Sequence, residues 1–291
     1  MYIDLSKIKS GFCDRLRQIT FCIALEKLKK SKVKKIEIFE IKTNECPYYF
    51  TDLMNIKGIK IINLQKCKKI KTIQMDPFNS QISLKTCIKF NNEKQIDNNK
   101  LLQEWKDTYK TLEPKKKYIN RINSIIKNKK ITCVHLRMTD KLVNFLDYMI
   151  EIPSKDVIYK KQIADFFRDI IKIIPKKTKN IYIAADEKSY RDKIISHLKN
   201  HYKIINKKIV FNKKKLRQTS GADFIMDLFV MSKSELIIST TGGNVPLTAI
   251  LMSKKENEYI KWSSFKLIYK IFNSFRLIIY KSRKLLSFNY S

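Results

Sequence analysis

The sequence predicts an α/β protein of two Rossmann-like domains facing a cleft. Three observations carry this. Short strand-like apolar runs alternate with helical stretches along most of the 291 residues. The alternation stands on both sides of a charged break, Lys127-Asn-Lys-Lys130. Polar groups also gather directly after strands in the second half, where open α/β sheets bind ligands. The expected division is residues 1–127, an N-terminal α/β domain; 128–258, an α/β domain carrying the polar strand ends; and 259–291, a basic tail.

Residues 2–5 are short and apolar and read as the first strand. Residues 18–28 place Ile19, Cys22, Ile23, Leu25 and Leu28 at helical spacing. Residues 35–41 and 59–64 are isoleucine-rich strands. The polar stretch 78–100 is read as loop, with a strand near 82–88. Residues 101–126 are helical apart from Pro114, which removes a backbone donor. After the break come a strand at 131, a helix over 157–173 ending near Pro175, a strand over 181–185 and a helix over 189–198. One or two short strands over 203–211, a helix over 222–232, a strand over 235–240 and a helix over 245–252 complete the pattern. Such alternation implies parallel sheets covered on both faces.

The formal net charge is +34, from 61 Lys and Arg against 27 Asp and Glu. Lys supplies 52 of those cations. With abundant Ile and Asn and scarce Gly and Ala, this fits an AT-rich coding bias. The charge still favours anionic partners such as nucleotide-sugars or phospholipid head groups. Nucleic-acid readers rely on Arg forks, and with only nine Arg here that class is disfavoured. The six cysteines form no Cys-x-x-Cys pair and there are three His, so no metal site is expected. The first ten residues are too polar for a secretory signal, and no apolar run reaches 18 residues. The expectation is a cytoplasmic protein with reduced thiols.

From residue 259 onward there are seven Lys or Arg and no acidic residue, with Trp262, Phe265, Tyr269, Phe272 and Phe275 interleaved. Two readings stay open. A basic amphipathic helix suits an anionic membrane surface, here the inner face. A terminal helix could equally pack back across the domains.

The run Ile131-Thr-Cys-Val-His-Leu-Arg-Met-Thr-Asp-Lys141 concentrates chemistry. His135, Arg137, Thr139, Asp140 and Lys141 stand at or just past a strand end, offering a forked cation for phosphate and a carboxylate for sugar hydroxyls. Asp186 and Glu187 follow the second strand. Asp223 and Asp227 lie on the helix before the fourth, and Thr240, Thr241, Gly242, Gly243 and Asn244 follow that strand. Gly11 opens a second strand–turn–helix site, with Asp14 and Arg15 close behind. No Asp-x-Asp motif is present, so a diphosphate held by Arg, hydroxyls and backbone amides is favoured over one held through metal.

Val134-His-Leu-Arg-Met-Thr-Asp-Lys141 resembles the His-x-Arg-x-Thr-Asp-Lys motif of the α1,6-fucosyltransferases, relatives of the nodulation and protein O-fucosyltransferases. Ile181-Tyr-Ile-Ala-Ala-Asp-Glu187 is similar to their second motif. Asp227-Leu-Phe-Val-Met-Ser232 with Glu235-Leu-Ile-Ile-Ser-Thr-Thr-Gly-Gly243 is similar to their third, and Gly11-Phe-Cys-Asp-Arg-Leu16 to the opening of their acceptor domain, which implies an acceptor-side loop at Gly11, Asp14 and Arg15, an acceptor-side domain over 1–127 and a nucleotide-sugar-binding domain over 128–258. The likeness covers about residues 128–253 and that opening. It implies a GT-B-like, inverting, metal-independent transferase with GDP-fucose as donor substrate, no cofactor and a glycan acceptor. By position, Arg137 would compensate charge on departing GDP, His135 and Asp227 would position guanine, Asp140 would contact the donor, and the turn 241–243 would hold phosphate oxygens. The family's Ser-Ser is Gly242-Gly243 here. Phe145 stands where the α1,6 enzymes carry an acidic residue. Asp14, Asp147 or Glu151 could replace that base, and the sequence does not choose among them. Another nucleotide-sugar on the same fold, a basic nucleic-acid binder and a catalytically dead scaffold remain the competing readings.

Overall fold

The computed structural model describes residues 1–6, 11–28, 33–43, 46–66, 97–127, 129–137, 155–205, 219–240 and 243–262. The first half supplies β1 (Tyr2–Asp4), α1 (Phe12–Leu28), β2 (Lys35–Phe39), α2 (Phe50–Leu53), β3 (Met54–Ile56), β4 (Lys60–Leu64), α3 (Asn98–Lys110), β5 (Leu112–Pro114) and α4 (Lys116–Ile126). The second supplies β6 (Ile131–Leu136), α5 (Lys155–Ile173), β7 (Asn180–Ala185), α6 (Lys188–Leu198), β8 (Lys203–Ile205), α7 (Gly221–Ser232), β9 (Leu236–Ser239), α8 (Asn244–Met252) and β10 (Glu258–Lys261).

Two parallel sheets result. One has the order β1-β2-β4 and the other the order β10-β9-β6-β7-β8; β3 and β5 form a separate antiparallel pair. The α/β class expected from the alternation is therefore present. Helix α1 begins at Phe12, well before the expected residue 18, with Gly11 O accepting the Asp14 and Arg15 amides at 3.0 and 3.3 Å. The helical stretch around Pro114 is two helices joined by β5, because Pro114 cannot donate within a helix. Asp97 caps the first of them, accepting from the amides of Asn99 and Lys100. The boundary placed at residue 259 falls inside β10, which pairs in register with β9, so the first residues of the expected tail are a strand. Trp262 then packs edge-on against Phe166 and donates to Asp169 at 3.2 Å. Residues 263–291, the expected strand near 82–88 and residues 206–211 lie outside the described residues. Among the described residues no helix is long and apolar enough to cross a membrane.

Strand periodicity decides what each side chain meets. In β6, β7 and β9 one parity (Val134, Leu136, Ile181, Ile183, Leu236, Ile238) faces α5 and α6, packing on Phe166, Ile170, Ile194 and Leu198. The other parity (Cys133, Tyr182, Ala184, Ile237) joins a larger core containing α7, α8 and the whole first half. Helices α3 and α4 of the first half pack against α8 and α7 of the second. Phe12 meets Phe224 edge-to-face with centroids 5.7 Å apart. Tyr48 donates to the Thr219 carbonyl at 2.7 Å, and its ring lies so close to Gly221 that an added Cβ would come within 2.7 Å of it. Gly221 is thus required by the approach of the first half. Gly58, at φ 76°, meets a different need in the turn between β3 and β4.

Candidate active site

The parity of β6 and β9 turns His135 and Ser239 to the same face, and the parallel register sets them opposite each other. His135 Nδ1 and Ser239 Oγ are 3.0 Å apart. Both are buried, His135 at 7% exposure. Burial first, and the Arg137 charge second, lower the His135 pKa to about 3. The ring is therefore neutral at working pH, with the Ser239 contact constraining its tautomer.

One residue on, the chain leaves the sheet. The Thr240 amide donates to the His135 carbonyl at 3.1 Å, and the Arg137 amide donates to Thr240 Oγ1 at 3.1 Å. The Asp186 amide donates to the Leu136 carbonyl at 3.4 Å. These bonds tie the carboxyl ends of β6, β7 and β9 together. Arg137, Asp186 and Thr240 thus stand on one edge of the sheet.

The helix starts converge on that edge as well. Gly243 is the N-cap of α8 and Asn244 its first residue. Asn244 Nδ2 donates to Asp14 Oδ1, in the first turn of α1, at 2.6 Å. Arg17 lies 3.9 Å from the same oxygen. Two helix N-termini from different sheets therefore meet through one carboxylate, where partial positive charge favours anions. The sequence named Gly11, Asp14, Gly243 and Asn244 but gave no reason to join them.

Two of the expected site residues, Arg15 and Asp227, are buried with partners the sequence did not name. Arg15 is not in an acceptor-side loop. It lies in α1, 1% exposed, donating from Nη2 to the Ile41 carbonyl at 2.6 Å with Nη1 3.7 Å from Glu40 Oε2. Asp227 is 6% exposed and accepts a 2.5 Å bond from the Tyr182 hydroxyl, in the layer between α7 and β7. Burial, and then the Asp227 charge, push the Tyr182 pKa well up, so the phenol stays a donor. Asp223 sits at the start of α7, its amide donating to the capping hydroxyl of Ser220 at 3.1 Å. Thr139, Asp140, Lys141, Asp147, Thr241 and Gly242 lie outside the described residues. Ser239 and Tyr182 went unnoticed in the sequence, because parity marks a face but register across the sheet is not written in either strand.

The model of the GDP-fucose protein O-fucosyltransferase family matches residues 12–255. No curated protein matches by sequence. Among solved structures, a NodZ α-1,6-fucosyltransferase soaked with GDP-fucose is 11% identical, over 90% of this chain and 95% of that one, at TM-score 0.52. The fucosyltransferase NodZ from Bradyrhizobium is 12% identical, over 87% and 92%, at 0.50. POFUT1 in complex with GDP is 12% identical, over 90% and 98%, at 0.52. At such identity the likeness is one of fold: the architecture is that of these α/β, GT-B-like enzymes.

Proposed function

This chain belongs to the GDP-fucose protein O-fucosyltransferase family and is a glycosyltransferase; from that premise we propose that it moves fucose from GDP-fucose to a glycan acceptor, with inversion and without a metal. The observation that carries this reading is the carboxyl edge where Arg137 and Thr240 are bonded together beside the Asp14–Asn244 bridge. In a single displacement the acceptor oxygen bonds to the sugar's anomeric carbon as the bond to the β-phosphate oxygen breaks. The acceptor loses its proton to a base. The electron pair leaves on GDP. Arg137 is the cation stationed to stabilise that charge, strongest where water is excluded. The helix start at Gly243–Asn244 adds backbone donors for phosphate. Neutral His135, held by Ser239, suits the role of hydrogen-bonding an uncharged base rather than phosphate.

Asp14, Asp147 and Glu151 remain the candidate bases. Asp14 has in its favour a position at the start of the helix bridged to the donor-side turn. We further propose a division into an acceptor-side unit, residues 1–127, and a donor unit, residues 128–258. It is supported by the strands of each sheet coming from only one side of that boundary. Residues 263–291 are the segment proposed to meet an anionic membrane on the cytoplasmic side, where acceptor glycans would be extended.

The deciding experiment is calorimetric titration of GDP, UDP and CMP in EDTA, followed by a transfer assay with GDP-fucose and NMR of the product's anomeric configuration. Preferential GDP binding and an inverted product are expected. Equal binding of the three nucleotides, or transfer only with Mn²⁺, overturns the reading.

A further inference from the structure

We propose that the amino edge of the five-stranded sheet, opposite the Arg137 edge, carries a second binding site, for a phosphate-type oxyanion. A cavity of about 430 Å³ opens there, walled by the first residues of β6, β7, β9 and β10 and by the turn before β7. Its volume lies within the range of small-molecule pockets. Four lysines line it, Lys129, Lys130, Lys177 and Lys179, against two carboxylates, Glu235 and Glu258. Lys130 is drawn to Glu235 at 3.5 Å, a pair with side chains 87% and 59% exposed and hence weak.

The chain is lysine-rich everywhere, so a cluster of lysines on a convex face would mean little. Here four lysines line a hollow, and two threonines and an asparagine line it with them. Thr132 Oγ1 and Thr178 Oγ1 lie 3.3 Å apart, and Asn180 Nδ2 donates to the Lys130 carbonyl at 3.2 Å. Hydroxyls in a hollow lined by four lysines suit a compact, multiply charged oxyanion, which Lys binds as a point charge. The walls are strand starts in fixed register, so the hollow does not depend on a ligand to form.

Phosphate chemistry of this kind can come from a soluble phosphorylated compound or from a lipid head group. Because β10 runs parallel to β9, residue 262 leaves the sheet at the opposite, carboxyl edge. The cavity is therefore separate from the point where the basic C-terminal segment departs.

The test uses the full chain saturated with GDP, so that the diphosphate position near Arg137 is filled, and titrates pyrophosphate by calorimetry at fixed salt. Binding should weaken about tenfold or more in Lys177→Glu/Lys179→Glu, since charge-assisted contacts are lost. GDP affinity and melting temperature should stay unchanged. A control, Lys106→Glu/Lys116→Glu, alters net charge equally on exposed helix surface and should retain binding. No pyrophosphate heat in the wild type, or equal weakening in both double variants, overturns the proposal. Pelleting with phosphatidylglycerol vesicles then separates the sources. Loss of pelleting in Lys177→Glu/Lys179→Glu assigns the site to a lipid head group, and unchanged pelleting with lost pyrophosphate binding assigns it to a soluble ligand. Failure of GDP to bind would count against the transferase reading alone, because the cavity variants are still compared in pyrophosphate.

Discussion

Two arginines stand in similar sequence settings and come to opposite ends. Arg15 follows a strand and a glycine at the start of α1; Arg137 follows β6. The Arg15 guanidinium is consumed by the interior, bonded to the Ile41 carbonyl and set against Glu40, with both side chains 1% exposed. Arg137 is partly buried at a sheet edge, its amide fixed by Thr240 and its neighbour His135 kept neutral. The first cluster holds α1 to the end of β2. The second holds a polar edge rigid for something that arrives later. Residue type does not separate the two roles; the direction in which the strand ends and the helix begins does.

Removing each arginine should therefore fail in a different assay. Arg15→Met leaves the Ile41 carbonyl and the Glu40 carboxyl buried without their cation. A cost of about 3 kcal/mol is expected in urea unfolding, the scale of breaking one side of a buried pair. If Arg15→Met unfolds at the wild-type midpoint, that cluster is not structural. Arg137→Ala should unfold near the wild-type midpoint yet lose about 100-fold or more in turnover, the scale of one lost transition-state donor. Arg137→Lys should also be poor, because the planar fork is lost. Full transfer activity in Arg137→Ala would sink its assigned role.

The same contrast explains what could be read in advance. The parallel α/β layout was legible, since alternation and strand-end polarity are local properties. So was the edge bearing Arg137, Thr240 and Asp186. What was not legible depends on pairing across the chain. Arg15 was expected at the acceptor because nothing near it in sequence announces Glu40 or the Ile41 carbonyl. Nothing near Asp227 announces its bond to Tyr182, which is distant in sequence and met only through sheet parity. The start of α1 was read late because the helix is buried around most of its circumference, polar Arg15, Gln18 and Thr20 included, which blurs the apolar stripe.

Proton linkage gives a sharper version of the comparison, because the two clusters respond oppositely to pH. Burial raises the Glu40 pKa from 4.5 to about 7, so the folded state holds its proton longer than the unfolded chain. That contribution is full below about 4.5 and lost as pH rises through about 7. His135 is lowered from 6.5 to about 3, so the unfolded chain takes up the proton first. Its contribution is full above about 6.5 and lost as pH falls towards 3. Between pH 4.5 and 6.5 the two slopes oppose each other. Denaturant midpoints of Glu40→Gln should rise with pH across this window, and those of His135→Asn should fall. Identical slopes in the two variants would show that one of these groups is solvated in the folded protein.

The smallest expected effect tests whether the second cluster serves a ligand or merely fills the core. Ser239→Ala removes the hydroxyl 3.0 Å from His135 Nδ1 without opening a large cavity. Loss of one buried hydrogen bond should cost about 1 kcal/mol of stability. If the hydroxyl also selects the His135 tautomer that meets the donor's base, GDP affinity should fall several-fold while turnover at saturating donor is kept. Ser239→Thr retains the hydroxyl and should restore affinity wherever the extra methyl is accommodated. A stability loss in Ser239→Ala with unchanged GDP affinity would reduce this contact to core packing, and His135 would then resemble Arg15 more than Arg137.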